Sequence, residues 1–149
     1  MASPSSSASA SPASPLYLGI DVGTGSARAA IFDGEGRQVG EAVACPIRIY
    51  KPKGCPLLYQ QSSENIWRAV CGAVRGALAS AAASASIGSG AGRTAAAADG
   101  GRIEGRERSA ADAIRKQVVA LAIDATCSLV VLGEDDQPVS VTPGDMTTV

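Results

Sequence analysis

Residues 16–33 of the chain are Leu-Tyr-Leu-Gly-Ile-Asp-Val-Gly-Thr-Gly-Ser-Ala-Arg-Ala-Ala-Ile-Phe-Asp. The apolar run at 16–22 predicts a buried strand, and the run at 28–32 predicts a second strand beside it. The link between them is short and made of small residues, which favours a β-hairpin with a tight turn. Asp21 stands where the first strand enters that turn.

The turn at residues 23–26 is suited to the capture of phosphate and its metal ion. Successive backbone N–H groups in a turn can form an anion-binding nest, and Gly23 and Gly25 have no Cβ atom to block close approach. Thr24 and Ser26 add hydroxyl donors, and Asp21 can hold Mg²⁺ through water. Spacing alone leaves an ordinary Gly-rich hairpin with a structural Asp as the alternative.

The commoner phosphate loops do not fit this turn. A Walker A loop ends in Gly-Lys-Ser/Thr, and that ending is missing here. A dinucleotide-binding fingerprint needs a third glycine where Arg28 stands, and a helix where the apolar run at 28–32 predicts a strand. The phosphate would therefore meet a hairpin turn and not the start of a helix.

A second polar cluster follows another apolar run. Residues 118–123 predict a strand that ends at Asp124, and Ala-Thr-Cys-Ser follows at 125–128. Because ligand-binding residues of α/β folds gather at strand ends, we expect Asp21 and Asp124 on adjacent strands with their turns at one edge of the sheet. A capped turn with a buried Cys127 is the alternative.

The remaining elements are predicted from periodicity and turn residues. Acidic and Gly-rich turns at 33–36 and 133–136 separate further strands at 38–46, 128–132 and 137–141. A helix is expected to start near Ser62 or Ser63, because either hydroxyl can cap it. Apolar residues recur every four positions and form one face of this helix: Ile66, Val70, Val74 and Leu78. We expect the flanking residues Trp67 and Cys71 to pack in the core as well.

Composition divides the 149 residues into three parts. Residues 1–15 are almost entirely Ser, Ala and Pro, which predicts a disordered tail. Residues 16–149 form the predicted domain, with a low-complexity insert at about 79–113. The insert is rich in Ala, Gly, Ser and Arg and has few large apolar side chains to offset the cost of ordering the chain.

Charge and composition exclude several classes of function. The net charge of −1 comes without a basic stripe, so we expect no nucleic-acid partner, and the apolar runs are too short for a membrane span. The chain has no His, which excludes Ser–His–Asp and Cys–His catalysis. Its four Cys lack CxxC spacing, so reduced thiols and a cytoplasmic location are expected. A plastid or other organelle is the alternative if residues 1–15 act as a targeting segment.

Three blocks of the sequence together resemble the FGGY carbohydrate kinases, and most of all their ribulokinase-like (D-ribulose kinase) branch. Residues 18–28 resemble the opening of those kinases. Residues 60–67 resemble a Glu-Gln-Ser-x-x-x-Ile-Trp segment, with Gln60 in place of the usual Glu. Residues 124–131, Asp-Ala-Thr-Cys-Ser-Leu-Val-Val, are similar to a strand and loop on the sugar side. The blocks occur in the family's order.

The resemblance implies an α/β fold of the actin-like, ribonuclease-H-like ATPase type, present here as an incomplete amino-terminal FGGY domain. Two such domains would clamp ATP–Mg²⁺ and a small-molecule sugar between them. The turn 21–26, including Ser26, would be the first phosphate loop; its γ-phosphate contacts would be Gly23, Thr24 and Gly25. Asp21 would lie near the metal, and residues near the sugar would be Thr126, Cys127 and Ser128.

The implied reaction is ATP-dependent phosphorylation of a pentulose such as D-ribulose. The family's catalytic base belongs to a Trp-x-Asp-x-Arg motif, which is expected beyond Val149, so no catalytic residue is assigned within these residues. The chain is therefore expected to be a truncated fragment, inactive alone, with strands left at exposed edges. A non-catalytic nucleotide-binding or interaction remnant is the alternative, and the oligomeric state stays open.

Overall fold

The computed structural model describes residues 14–51, 53, 59–88, 100–126 and 130–139. Strands at 16–22 and 38–46 are confirmed at both ends, and the second strand begins at Ser26, earlier than expected. Along the described chain the elements are β1 (Leu16–Val22), β2 (Ser26–Phe32), β3 (Gln38–Pro46), α1 (Ser63–Gly88), α2 (Gly100–Arg115) and β4 (Val118–Ala125).

The four strands form one mixed sheet in the order β3-β2-β1-β4. β1 and β2 pair antiparallel, which confirms the predicted hairpin, and β3 continues the meander on the outer side of β2. β4 lies parallel to β1 on the other side. Because parallel neighbours need a long crossover, the helices between β3 and β4 supply the connection.

The hydrophobic core lies between α1 and one face of the sheet. Alternate residues of β1 and β2 point into it, as expected for strands covered on one face only. The predicted helical periodicity is confirmed, since Val70 and Leu78 are buried and Ile66 and Val74 pack against them. The buried strand residues are Leu16, Leu18, Ile20, Ala27, Ala29 and Ile31.

α1 approaches β3 closely because the facing helix positions have no side chain. A Cβ atom on Gly72 would lie 2.9 Å from Sγ of Cys45, and one on Gly76 would lie 2.7 Å from Cγ1 of Val43. On the strand, Gly40 has a φ of +77°, and a Cβ there would lie 2.6 Å from the backbone nitrogen of Ala81. In the sequence, these helix glycines indicate only a weak helix. In the structure, their missing side chains allow β3 to pack closely against α1.

The expectation that Trp67 packs in the core is wrong. Its side chain is 65% exposed, and Cys71 is only half-buried. Successive helix residues are separated by about 100°, so the residue after Ile66 points away from the sheet. Periodicity alone does not distinguish a residue at the border of an apolar helix face from a residue in the core.

Both ends of the segment 79–113 are helical, which differs from the expectation for a tract without large apolar side chains. α1 continues to Gly88, and α2 begins at Gly100. Alanine is the best helix former, and Ala81 and Ala82 are small enough to be buried against the sheet. α2 is held by Ile114, which is buried in the same core. Within the described residues, neither helix has an apolar stretch long enough to cross a bilayer.

Some sequence predictions lie partly or wholly outside the described residues. Among these are the tail at 1–13, Cys55, and residues 127–129 of the third sequence block. Of the two strands expected after β4, the described part shows one antiparallel bridge between Leu132 and Pro138. The turn at 133–136 between them is present, closed by a hydrogen bond from the Gly133 N–H to the Gln137 carbonyl at 2.9 Å.

β4 pairs on one side only within the described sheet, which confirms the expectation of an exposed edge. Three of its apolar side chains are about 60% exposed: Val119, Leu121 and Ile123. Leu121 and Ile123 lie in register with the buried Leu18 and Ile20 of β1. They therefore belong to the face that α1 covers elsewhere, but α1 does not reach them.

The turn between β2 and β3 is organised by Asp33. Oδ1 of Asp33 accepts the backbone N–H groups of Glu35 at 3.0 Å and Arg37 at 2.9 Å, and Oδ2 accepts Nε of Arg37 at 2.8 Å. The Gly36 N–H donates to the Asp33 carbonyl at 3.1 Å, and its φ of 78° explains the glycine. The backbone N–H of Arg37, followed by its guanidinium, lowers the pKa of Asp33 below the ordinary value of 3.8.

We predict that Gly76→Ala destabilises the chain, although the same change normally stabilises a helix by about 1 kcal/mol. The added Cβ would meet Val43, a stiff β-branched side chain, and overpacking costs about 1–3 kcal/mol. Gly105→Ala on α2 is the matched control, because nothing lies within 4 Å of its Cβ position. Urea denaturation should show opposite changes in unfolding free energy, and equal stabilisation by both variants would contradict the close approach.

We predict that Asp33 makes the stability of the chain acid-sensitive. Because its pKa is lowered in the folded state, its contribution is complete above the ordinary value of 3.8 and is lost as the pH falls through the lowered value. Asp33→Asn keeps an acceptor but loses the charge. Denaturation curves at several pH values should show a deficit for the variant near neutral pH that shrinks in acid; a deficit independent of pH would exclude this origin.

Candidate functional site

The hairpin turn between β1 and β2 presents backbone N–H groups to solvent. The Gly23 N–H donates to the Ser26 carbonyl at 3.0 Å and closes the turn. The N–H groups of Thr24 and Gly25 at the exposed tip donate to no protein acceptor in the described part of the chain. In the Asp33 turn, by contrast, the N–H groups of Glu35 and Arg37 are both taken up by the Asp33 carboxylate.

The glycines of the tip are not explained by the fold itself. Neither Gly23 nor Gly25 has a positive φ, since Gly36 and Gly40 are the described glycines in that region. A Cβ on Gly25 would have no neighbour within 4 Å, and one on Gly23 would make only ordinary contacts. What the missing side chains provide is open access to the backbone of the turn.

Three charged side chains form a row across the sheet beside the turn. Asp21 of β1 is in register with Arg28 of β2 on one side and with Asp124 of β4 on the other. A guanidinium nitrogen of Arg28 lies 2.6 Å from Oδ2 of Asp21, and both side chains are about half exposed. The predicted pairing of Asp21 and Asp124 on adjacent strands is therefore confirmed.

Hydrogen bonds from two neighbouring segments hold the turn in place. Nε2 of Gln61 donates to the Thr24 carbonyl at 2.6 Å, and the Ile47 N–H donates to the Gly25 carbonyl at 2.9 Å. Gln61 precedes Ser62, whose buried hydroxyl accepts the Asn65 N–H at 3.2 Å and caps α1. Ser62 is thus the capping residue of the two that were expected.

Gln61 is a residue that sequence reasoning did not assign to the site. The only signal was its place in the block at 60–67, which gave no role for its side chain. In the structure it links the cap of α1 to the phosphate-loop candidate, 37 positions earlier in the chain. A contact across such a separation is set by packing and not by a local pattern.

Thr126 ties the end of β4 to the end of β1. Its backbone N–H and its hydroxyl both donate to the Val22 carbonyl, at 2.9 and 3.0 Å. The Thr126 hydroxyl therefore donates its proton to the Val22 carbonyl, and its oxygen can still accept a hydrogen bond. Cys127 and Ser128, the other predicted sugar-side residues, lie outside the described residues.

The acidic residues suit a magnesium ion that also binds phosphate. Magnesium keeps several waters and takes one or two carboxylates together with phosphate oxygens. Asp21 and Asp124 occupy neighbouring register positions on adjacent strands, and Oδ1 of Asp21 has no hydrogen-bond partner among the described residues. The described part of the chain has no group of three or more His, Cys, Asp or Glu side chains that could hold a metal without such help.

A shallow cavity of about 390 Å³ lies on the sheet face away from α1. Its lining includes Tyr17 and Phe32, together with Ala120 and Ala122 of β4 and residues of the Asp33 turn. The cavity is therefore at the opposite end of the hairpin from residues 23–26. It adds no group to the row of Arg28, Asp21 and Asp124.

Similarity to characterised proteins covers most of this short chain. It is 34% identical over 134 residues to an FGGY carbohydrate kinase domain-containing protein of Xenopus laevis, a match that spans 84% of this chain and 16% of that protein. It is 42% identical over 64 residues to a D-ribulokinase of Saccharomyces cerevisiae, spanning 43% of this chain and 8% of the relative. No protein-family model matches the sequence.

Solved sugar kinases share the fold. The gluconate kinase of Lactobacillus acidophilus matches with a TM-score of 0.56 and 17% identity over 86% of this chain and 19% of the kinase. A xylulose kinase of the same species matches with a TM-score of 0.55 and 17% identity over 85% of this chain and 19% of the kinase. The sheet and helices are therefore those of part of an actin-like ATPase domain. The chain is therefore similar over most of its length to FGGY carbohydrate kinases, and it spans only about a sixth of the length of these curated relatives.

Proposed function

We propose that these residues supply the first phosphate loop and part of the sugar wall of a kinase that phosphorylates a pentulose such as D-ribulose with ATP. The observation that carries the proposal is the turn at 23–26: its Thr24 and Gly25 N–H groups donate to nothing in the described chain, and the strands that lead to it bring Asp21 and Asp124 into register. The similarity to a D-ribulokinase supports the choice of substrate class.

Phosphoryl transfer depends on positioning and charge more than on covalent help from the protein. The Thr24 and Gly25 N–H groups would receive the γ-phosphate oxygens, as a backbone nest does, and the Thr24 and Ser26 hydroxyls would add donors. Because Gly23 and Gly25 lack Cβ atoms, the phosphate can approach the backbone. The tethers from Gln61 and Ile47 fix the turn, so that little ordering remains to be done on binding.

Magnesium, when bound, would neutralise charge that develops on the transferred phosphoryl group. Asp21 would hold it through a water molecule, and Asp124 would offer a second carboxylate from the register position beside it on the neighbouring strand. Arg28 balances the charge of Asp21 through its 2.6 Å ion pair. One guanidinium and two carboxylates therefore come from strand positions beside the proposed phosphate loop.

The sugar would lie beyond the end of β4, near Thr126, Cys127 and Ser128. Thr126 is held at that end by its two hydrogen bonds to Val22, which fixes the direction in which the following residues leave the strand.

The two described cysteines, Cys45 and Cys71, form no disulfide. Free thiols support the location of the kinase in a reducing compartment such as the cytoplasm.

We predict that Gly25→Val weakens binding of MgATP by the chain at least about tenfold, because an added side chain would shield the N–H groups of the turn. Gly34→Val is the matched control, since both glycines are exposed turn residues with nothing within 4 Å of the Cβ position. Amide chemical shifts during a titration with MgATP provide the measurement. Shifts at residues 23–26 that are absent, or that persist equally in Gly25→Val, would rule out the phosphate loop.

We predict that the 149 residues alone do not phosphorylate D-ribulose. The Trp-x-Asp-x-Arg motif that would supply the base does not occur among them, and a sugar hydroxyl without a base is a poor nucleophile. A coupled assay of ADP release should give the same background with and without the sugar. Ribulose-dependent release that Asp21→Asn removes would show that the chain carries its own base.

A further inference from the structure

The peptide group that joins Thr24 to Gly25 lies at the exposed tip of the hairpin turn. Its carbonyl accepts Nε2 of Gln61 at 2.6 Å, while its N–H, that of Gly25, donates to no protein acceptor in the described chain. A trans peptide group is planar, and its carbonyl and N–H point in opposite directions. Because the described residues contain no cis peptide bond, the Gly25 N–H points away from Gln61.

A peptide group at such a tip can turn over unless a contact holds it. Type I and type II β-turns differ chiefly in the direction of their central peptide group, and glycine after that group admits both, because type II needs a positive φ there. Gly25 does not have a positive φ. The hydrogen bond from Gln61 reaches the Thr24 carbonyl only in the observed orientation, so it stabilises that orientation against the reversed one.

We propose that Gln61 is a positioning residue of the phosphate loop. Its side-chain amide holds the peptide group between Thr24 and Gly25 so that the Gly25 N–H faces the incoming phosphate. This role rests on the proposed function, which assigns the γ-phosphate to that N–H. Gln61 acts through the backbone of the loop and not on the nucleotide.

The backbone on either side of Gln61 is anchored. Before it, Gln60 and Tyr50 exchange two hydrogen bonds: the Tyr50 N–H donates to the Gln60 carbonyl at 2.8 Å, and the Gln60 N–H donates to the Tyr50 carbonyl at 3.0 Å. After it, the Ser62 hydroxyl caps α1 by accepting the Asn65 N–H at 3.2 Å. The amide that holds the loop therefore stands on a fixed base, which preorganises the loop for binding.

The two tethers of the turn differ in how far they depend on sequence. The Gly25 carbonyl accepts the backbone N–H of Ile47 at 2.9 Å, a donor that every residue type except proline supplies. The Thr24 carbonyl accepts a side-chain amide, so a substitution of Gln61 removes this contact alone. Gln38 donates in the same way to the Gly40 carbonyl, at 2.9 Å, but at the opposite end of β2 from the turn.

Removing the donor tests the effect on binding. Gln61→Met keeps an unbranched, uncharged side chain of similar length but has no N–H to donate. It should raise the dissociation constant of the 149-residue chain for MgATP about fivefold, which corresponds to the loss of one hydrogen bond. Gln38→Met is the matched control and should leave that constant unchanged. Isothermal titration calorimetry provides the measurement.

The outcomes separate the role of Gln61 from the proposed function. Equal affinity of the wild-type chain and Gln61→Met would overturn the positioning role and leave the phosphate loop in place, and so would an equal loss in Gln38→Met. A wild-type chain that does not bind MgATP would instead contradict the proposed function. The orientation of the peptide group is then judged by a measurement that needs no nucleotide.

That measurement is the N–H residual dipolar coupling of Gly25, which reports the direction of the bond in the free chain. Gln61→Glu has nearly the same shape, but its ionised carboxylate cannot donate to a carbonyl, whereas its protonated carboxyl can. The coupling should differ from that of the wild-type chain near neutral pH and approach it as the pH falls below about 4.3, the ordinary pKa of Glu. A coupling unchanged at neutral pH, or a difference that persists in acid, would overturn the proposal.

Discussion

The parallel contact between β1 and β4 determines how the rest of the structure is arranged. Parallel neighbours cannot be joined by a tight turn, so the chain must cross over between β3 and β4, and α1 covers the apolar face of the sheet on the way. The same contact sets Asp21 beside Asp124, and the Thr126 bonds to Val22 close its end. The hairpin turn and the end of β4 therefore lie at the same end of the sheet.

Local chemistry was enough to predict the four strands of the sheet, the start of α1 and the neighbouring positions of Asp21 and Asp124. Alternating and continuous apolar runs gave β1 and β3 at their observed bounds, and small residues between β1 and β2 gave the hairpin. The position of Asp21 and Asp124 at the ends of two apolar runs predicted their pairing. In each case the residues that carry the signal lie within a few positions of the structure they specify.

Contacts between distant segments could not be predicted in this way. Gly76 marks a weak helix position in sequence, but its role appears only when Val43 lies 2.7 Å from its Cβ position. Gln61 and Thr24 meet because α1 starts beside the hairpin, and Trp67 is exposed because it lies on the side of α1 that points away from the sheet. A single sequence records which residues are apolar or small, but not which part of the fold will face them.

The two described turns of the β1–β3 meander use their backbone N–H groups differently. Both turns contain glycine and follow an apolar strand. In the Asp33 turn, the carboxylate accepts the turn's own N–H groups, and the turn is complete in itself. In the turn at 23–26, the Asp21 carboxylate pairs with Arg28, and the N–H groups of Thr24 and Gly25 have no acceptor in the described chain. A glycine at a position whose backbone an Ala could adopt costs about 0.4–1 kcal/mol of stability, chiefly through the entropy of the unfolded chain. The anion proposed to bind those N–H groups would account for that cost, since no contact in the described chain does.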